Sequence, residues 1–191
     1  RGRLIAERVL DQRERKMLTE AADRAKAQAG FKLVTDPISG VRIGVPQRVL
    51  DKTARGRTGS VYSNAKDQAI LTLFVPADPS ADLASLFDTL KDNTPSRKVS
   101  YKLLRPEFLV VTGTENGRRY FTRIARGETG ARVHALRGFT VAYPSPVAPK
   151  LDRLTIAIAN SFEPFPTGAA VAPSAPAPSV ASPAPLPPPA P

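Results

Sequence analysis

Few side chains in this sequence could do covalent or metal chemistry. The 191 residues hold no cysteine, no tryptophan and one histidine, His134. Thiol nucleophiles, thiolate metal sites and disulfides are therefore excluded. A Ser–His–Asp mechanism needs a base to activate a weak hydroxyl, and His134 is the one imidazole available for it. It stands mid-strand in Arg132-Val133-His134-Ala135-Leu136, with no Gly-x-Ser-x-Gly elbow beside it. Zinc needs three or four Cys, His or carboxylate ligands, which one imidazole does not approach. Asp78, Asp82, Asp88 and Asp92 are near one another in sequence but lack the Asp-x-Asp-x-Asp-Gly spacing of a calcium loop. Asp82, Asp88 and Asp92 read instead as the solvated face of a helix. Neither the glycine-lysine phosphate loop nor the dinucleotide glycine pattern occurs. Two acids converging in space for hydrolysis remain as a cryptic-hydrolase alternative, although no glutamate lies in an apolar run that would raise its pKa. No catalytic residue, metal ligand or cofactor is expected.

Positive charge is what the chain has in quantity, with a formal net charge of +11. Such a field attracts anions: nucleic acid, phospholipid head groups or acidic polysaccharide. The basic residues are scattered, and abundant Arg, Ala and Pro also match chains from GC-rich bacterial genomes. One group runs Arg42, Arg48, Lys52, Arg55, Arg57 and a second runs Arg118, Arg119, Arg123, Arg126, Arg132, Arg137. Arg42, Arg55, Arg57, Arg118, Arg119 and Arg123 are the expected anion-binding set, if the two groups share a surface. Within Arg55-Gly56-Arg57-Thr58-Gly59-Ser60 the backbone amides of a flexible basic loop could also cradle an anion. Nucleic-acid binding calls for aromatics interleaved with the charge. Tyr62, Tyr101, Tyr120 and Tyr143 all fall in strand patterns and read as packing residues.

These side chains must be positioned by the elements around them. Residues 3–29 read as a charged helix of good helix formers with a weak apolar stripe, closed by Gly30. Strands are predicted at Phe31–Val34, at Val41–Val45 before Pro46, at Ser60–Ser63 and at Ala69–Val75, the most apolar run. A helix is predicted from Ser80, as N-cap, to Asn93, with Leu83, Leu86, Phe87 and Leu90 on one buried face. Lys98–Leu103 and Phe108–Thr112 read as strands. Asn116-Gly117 is a hairpin turn signal leading into an antiparallel strand at Arg119–Ile124. A loop is predicted at Gly127–Gly130, then a strand at Val133–Tyr143 with Gly138 marking a bulge. Leu151–Phe162 forms the last helix. Thr167–Pro191 carries no charged side chain and is mostly Ala, Pro and Ser, the composition of a disordered, polyproline-like tail.

The organisation expected is thus a charged helical linker at 1–29, an α+β globular domain at 30–166 and a disordered Pro/Ala-rich tail at 167–191. The core should be an antiparallel sheet covered by helices. The first residue is Arg1 rather than Met, so the chain is expected to be a fragment or a processed product. No stretch reaches the ~18 apolar residues needed to span a bilayer.

The order of these elements resembles the PsbP/Mog1-like family. The residues that carry the likeness are Gly30-Phe31-Lys32-Leu33, Val41-Arg42-Ile43-Gly44-Val45-Pro46, Asn116-Gly117-Arg118-Arg119-Tyr120 and the closing Ile156-Ala157-Ile158-Ala159-Asn160-Ser161-Phe162. Asp36 to Pro46 also resembles uncharacterised exported domains of alphaproteobacteria, some attached to peptidase-like modules. The resemblance implies a docking or assembly role and supplies no catalytic residue. The expected function is a non-catalytic binding or assembly module of an exported bacterial protein, periplasmic or secreted. Its partner would be a protein or an acidic envelope component. The alternative is binding of an anionic polymer, nucleic acid or polysaccharide, through the Arg clusters.

Overall fold

The computed structural model describes residues 17, 19–129 and 133–166. The expected tail at 167–191 and the first part of the expected charged helix lie outside these residues. Helix α1 covers residues 19–28 and leads to Gly30, whose φ of +63° closes it as expected. Strands β1 (Phe31–Thr35) and β2 (Arg42–Pro46) pair as an antiparallel hairpin. Next come β3 (Lys52–Arg55), β4 (Ser60–Ser63), β5 (Ile70–Phe74) and helix α2 (Leu83–Leu90). They are followed by β6 (Arg97–Leu104), β7 (Phe108–Glu115), β8 (Arg118–Thr129), β9 (Val133–Pro144) and α3 (Ala148–Asn160). The seven strands after the hairpin form one antiparallel sheet in the order β3-β4-β5-β9-β8-β7-β6. The architecture is the α+β, antiparallel-sheet-and-helix arrangement that the sequence pattern implies.

Alternation along the strands gives the sheet two apolar faces. On one face, Leu71, Leu73, Phe139, Val141 and Tyr143 meet the β1–β2 hairpin through Val41, Ile43 and Val45, and meet α3 through Leu151, Leu154 and Ile158. On the other, Leu109, Val111, Ile124 and Leu136 meet Leu83 of α2, with Leu86, Phe87 and Leu90 packed around them.

Several elements depart from expectation, each for a physical reason. β3 was not predicted, because all four of its residues are exposed and leave no apolar alternation to read. Helix α2 is shorter than Ser80–Asn93, and its N-cap is Asp82, which accepts from the Ser85 backbone N–H at 2.7 Å. Ser80 turns back and donates to Asp78 instead. No loop opens at Gly127: β8 and β9 stay paired from Arg118↔Pro144 to Thr129↔Val133. Gly127 is there because the Phe165 ring lies 2.5 Å from where a Cβ would stand. Gly138 is likewise no bulge. It pairs in register with both Ile124 and Phe74, and a Cβ would lie 2.9 Å from the Phe74 ring. The sheet's register shift falls between Val99 and Tyr101. α3 starts earlier than expected, at Ala148, with Pro149 in its first turn where a missing N–H costs nothing. The Asn116-Gly117 turn is as predicted, both residues holding positive φ (50° and 74°).

Candidate functional site

The registers of β6, β7 and β8 set their side chains in rows. On the face that α3 touches, one row is Lys98, Thr114 and Arg119, the next is Tyr101, Thr112 and Phe121, and the third is Leu103, Val110 and Arg123. α3 packs on β2, β8 and β9, while α2 packs on β6, β7 and β8 from behind. Among the described residues, no helix lies over β6 and β7 on the α3 side. Tyr101 is consequently 53% exposed, and Leu103, Val110 and Thr112 are only partly buried. The part of this sheet face over β6 and β7 is open.

Arg123 stands at the border between the covered and open halves. Its guanidinium carbon lies 4.9 Å from the centre of the Phe108 ring and 5.6 Å from that of Phe162. No carboxylate or carbonyl among the described residues pairs with it, and its Nε is buried without a hydrogen-bond partner. Partial burial pushes its pKa down, the direction expected for a cation partly withdrawn from water.

The other arginines of the expected set are held differently. Arg119 donates to Asp152 at 2.7 Å, and Tyr143 donates to the second oxygen of that carboxylate at 2.6 Å. The hydrogen bond to Asp152 and its charge hold the Arg119 pKa up. Arg118 donates to the backbone carbonyls of Gln68 and Ala142. Arg42 pairs with Glu163 at 3.5 Å. Arg55 and Arg57 are exposed in the β3–β4 hairpin with no side-chain partner among the described residues. β3 forms the edge of the sheet opposite β6, so these two lie away from Arg119 and Arg123. The six arginines are thus spread over the hairpin, one sheet edge and the β8 face. They do not gather in one cluster.

Two polar residues hold structural roles that the sequence pattern does not assign to them. Arg137 donates to the Gly40 and Pro164 carbonyls and stacks on Phe165, which straps the β1–β2 turn to the end of the domain. Asp36 reads as a turn residue before Pro37, yet its carboxylate is fully buried. The signal that could have revealed it is the Asp-x-x-Ser spacing, which allows a side chain to accept from the backbone three residues on. The backbone of His134 pairs with Glu128, and its side chain lies outside the described part. Among the described residues no three His, Asp or Glu gather as metal ligands, and no helix is long and apolar enough to cross a membrane.

No family model and no curated protein matches this chain. Among solved structures it is similar to the solution structure of cyanobacterial PsbP (CyanoP) from Synechocystis sp. PCC 6803. The two superpose with a TM-score of 0.48 and 10% identity, over 70% of this chain and 91% of that one. The likeness extends no further than fold and says nothing about ligand or partner.

Proposed function

We propose that this domain is a non-catalytic binding or assembly module of an exported bacterial protein. Its open sheet face receives an anionic group of a protein partner or of an acidic envelope component, and Arg123 makes the contact. The observation that carries this reading is the missing counter-charge. A guanidinium withdrawn from water is normally paired, because leaving it unpaired is costly. Arg137, partly buried, satisfies that rule by donating to the Gly40 and Pro164 carbonyls, whereas the buried Nε of Arg123 has no acceptor among the described residues. Phe108 and Phe162 hold its position through cation–π attraction, worth up to about 2 kcal/mol when desolvated. Such packing leaves the edges of the guanidinium available to an acceptor, and charge-assisted, two-pronged hydrogen bonds to a carboxylate or phosphate are the strongest it can make.

A substitution separates this role from a structural one. Arg123→Met keeps the length and apolar contact of the side chain and removes its charge. The variant is expected to melt at or above the temperature of the parent. Its affinity for polyglutamate, followed by fluorescence anisotropy, should fall by about tenfold or more. A variant that melts lower and binds polyglutamate as before would assign Arg123 to packing and defeat the proposal.

A second reading rests on Arg55 and Arg57, which are exposed at the end of β3 and in the turn after it, with no side-chain partner among the described residues. It makes the domain a binder of nucleic acid or polysaccharide. Each phosphate neutralised releases counterions, so affinity would fall steeply with salt. Binding of a DNA or dextran sulfate probe that is flat between 50 mM and 200 mM salt (a range over which the Debye length falls about twofold), or that survives replacement of both arginines by serine, would rule this reading out.

A further inference from the structure

We infer that the occupant of the open sheet face is an acidic amphipathic helix of another protein, an inference that rests on the reading of Arg123 given above. The face itself specifies the pattern. Alternate residues of a strand recur about 6.6 Å apart, so Arg123, Phe121 and Arg119 of β8 mark three parallel rows. The outer rows carry the cations Arg123, Arg119 and Lys98, and the row between them is Tyr101, Thr112 and Phe121. None of the nine positions is an acid. Asp152 reaches this face from α3 and is already bound by Arg119 and Tyr143. Two positive rows about 13 Å apart therefore bracket an apolar one.

A helix suits that surface better than an extended strand. A strand laid on a sheet face would press unpaired backbone N–H and C=O groups against apolar side chains, whereas a helix satisfies its own. Residues four apart on a helix are about 6 Å apart along its axis, close to the row spacing. The matching stripe is acid, three residues, apolar, three residues, acid. The apolar residue sits over Tyr101 and Phe121, and the acids reach Arg123 at one end and Lys98 at the other. Such a helix would lie beside α3 in the place a further covering helix would take in a fully covered sheet.

The chain's own flanks lack this character. Residues 1–16 hold six Lys and Arg against three Asp and Glu, and residues 167–191 carry no charged side chain. A second copy brings the same net charge of +11. Charge complementarity therefore points to a different, acidic protein.

The test uses the full chain and three probes. The first is a synthetic helical peptide of about four turns with the Glu-x-x-x-Leu-x-x-x-Glu stripe. The second is an isomer of identical composition whose acids are moved to the far side, and the third is polyglutamate. The striped peptide is expected to bind about tenfold or more tightly than either. Tyr101→Glu, a change at an exposed position, should remove that preference, as should Arg123→Met. Equal binding of stripe and isomer, still dependent on Arg123, would overturn the helix while leaving the anion contact standing. Polyglutamate binding more tightly than the striped peptide would overturn it in favour of an irregular polyanion. If none of the three binds, the reading of Arg123 falls as well.

Discussion

Replacing Phe139 by alanine is expected to cost the domain about 4 kcal/mol of stability. Its side chain is fully buried on β9, between Leu73 of β5 and Arg123 of β8 in the register of the sheet. The ring stacks on Phe121 at 5.7 Å and meets Phe162 edge-on at 4.8 Å. Phe139 thereby joins the sheet to the end of α3, and its removal takes away two aromatic contacts together with the buried area. The cavity cannot close easily, because its walls are hydrogen-bonded strands on both sides. Urea unfolding measures the loss, which should appear on heating as a drop of roughly 10 °C or more for a domain of this size. Phe139→Leu should recover more than half of it. A loss under about 1.5 kcal/mol for the alanine variant would mean that α3 settles into the gap, and that the sheet–helix contact is softer than these rings imply.

Asp36→Ala is expected to cost about 3 kcal/mol, since it strips several donors of a charged acceptor at once. One carboxylate oxygen accepts from the Ser39 backbone N–H at 2.8 Å, the Ser39 hydroxyl and the Ser60 backbone N–H at 3.3 Å. The other oxygen accepts from the Ser60 hydroxyl at 2.6 Å. A single side chain thus fixes the β1–β2 turn and joins it to β4. Burial by itself pushes the carboxyl pKa up. The hydroxyls of Ser39 and Ser60 and the backbone N–H groups of Ser39 and Ile38 together outweigh that and hold it below the ordinary carboxylate value. A folded-state pKa below the unfolded one gives stability that is complete above the unfolded value, near pH 4, and is lost as pH falls through the folded value. The melting temperature of the parent should therefore stay well above that of Asp36→Asn at pH 7 and begin to approach it as pH falls below about 4. The asparagine is no rescue, because its amide group would point donors at donors. A gap between the two proteins that does not change from pH 7 to pH 3 would show that Asp36 does not hold the turn as an anion.

The sequence made the sheet legible wherever one face of a strand is buried and the other is not. Val41, Ile43 and Val45 alternate because the hairpin covers one side of the sheet, and Asn116-Gly117 declares its turn because both residues need positive φ. β3 leaves no such trace, since an exposed edge strand has no buried face to pattern it. The glycines misled because two physical needs share one residue type. Gly127 makes room for the Phe165 ring, and Gly138 for the Arg123 carbonyl and the Phe74 ring, rather than for a turn or a bulge. The site was half legible. Arg123 could be nominated from its neighbours in sequence, and alternation put it on the face of Arg119. What separates the two is that Asp152 reaches Arg119 and no acid among the described residues reaches Arg123. That difference arises from where the first turns of α3 set Asp152 over β8, and no local pattern encodes it.

The first strand of the domain and its last residues meet on β2. The Phe31 ring occupies the space above Gly44, and the Gly44 N–H donates to the Ser161 hydroxyl at 2.7 Å. Arg42 and Glu163 exchange both backbone hydrogen bonds, at 2.9 and 2.8 Å. A pull on the two flanking segments would therefore be shared between this narrow seam and the Arg137 and Phe165 contacts that tie the last residues to β8 and β9. Neighbouring ends of this kind also let a domain be spliced into a surface loop of a larger polypeptide without prying its host apart.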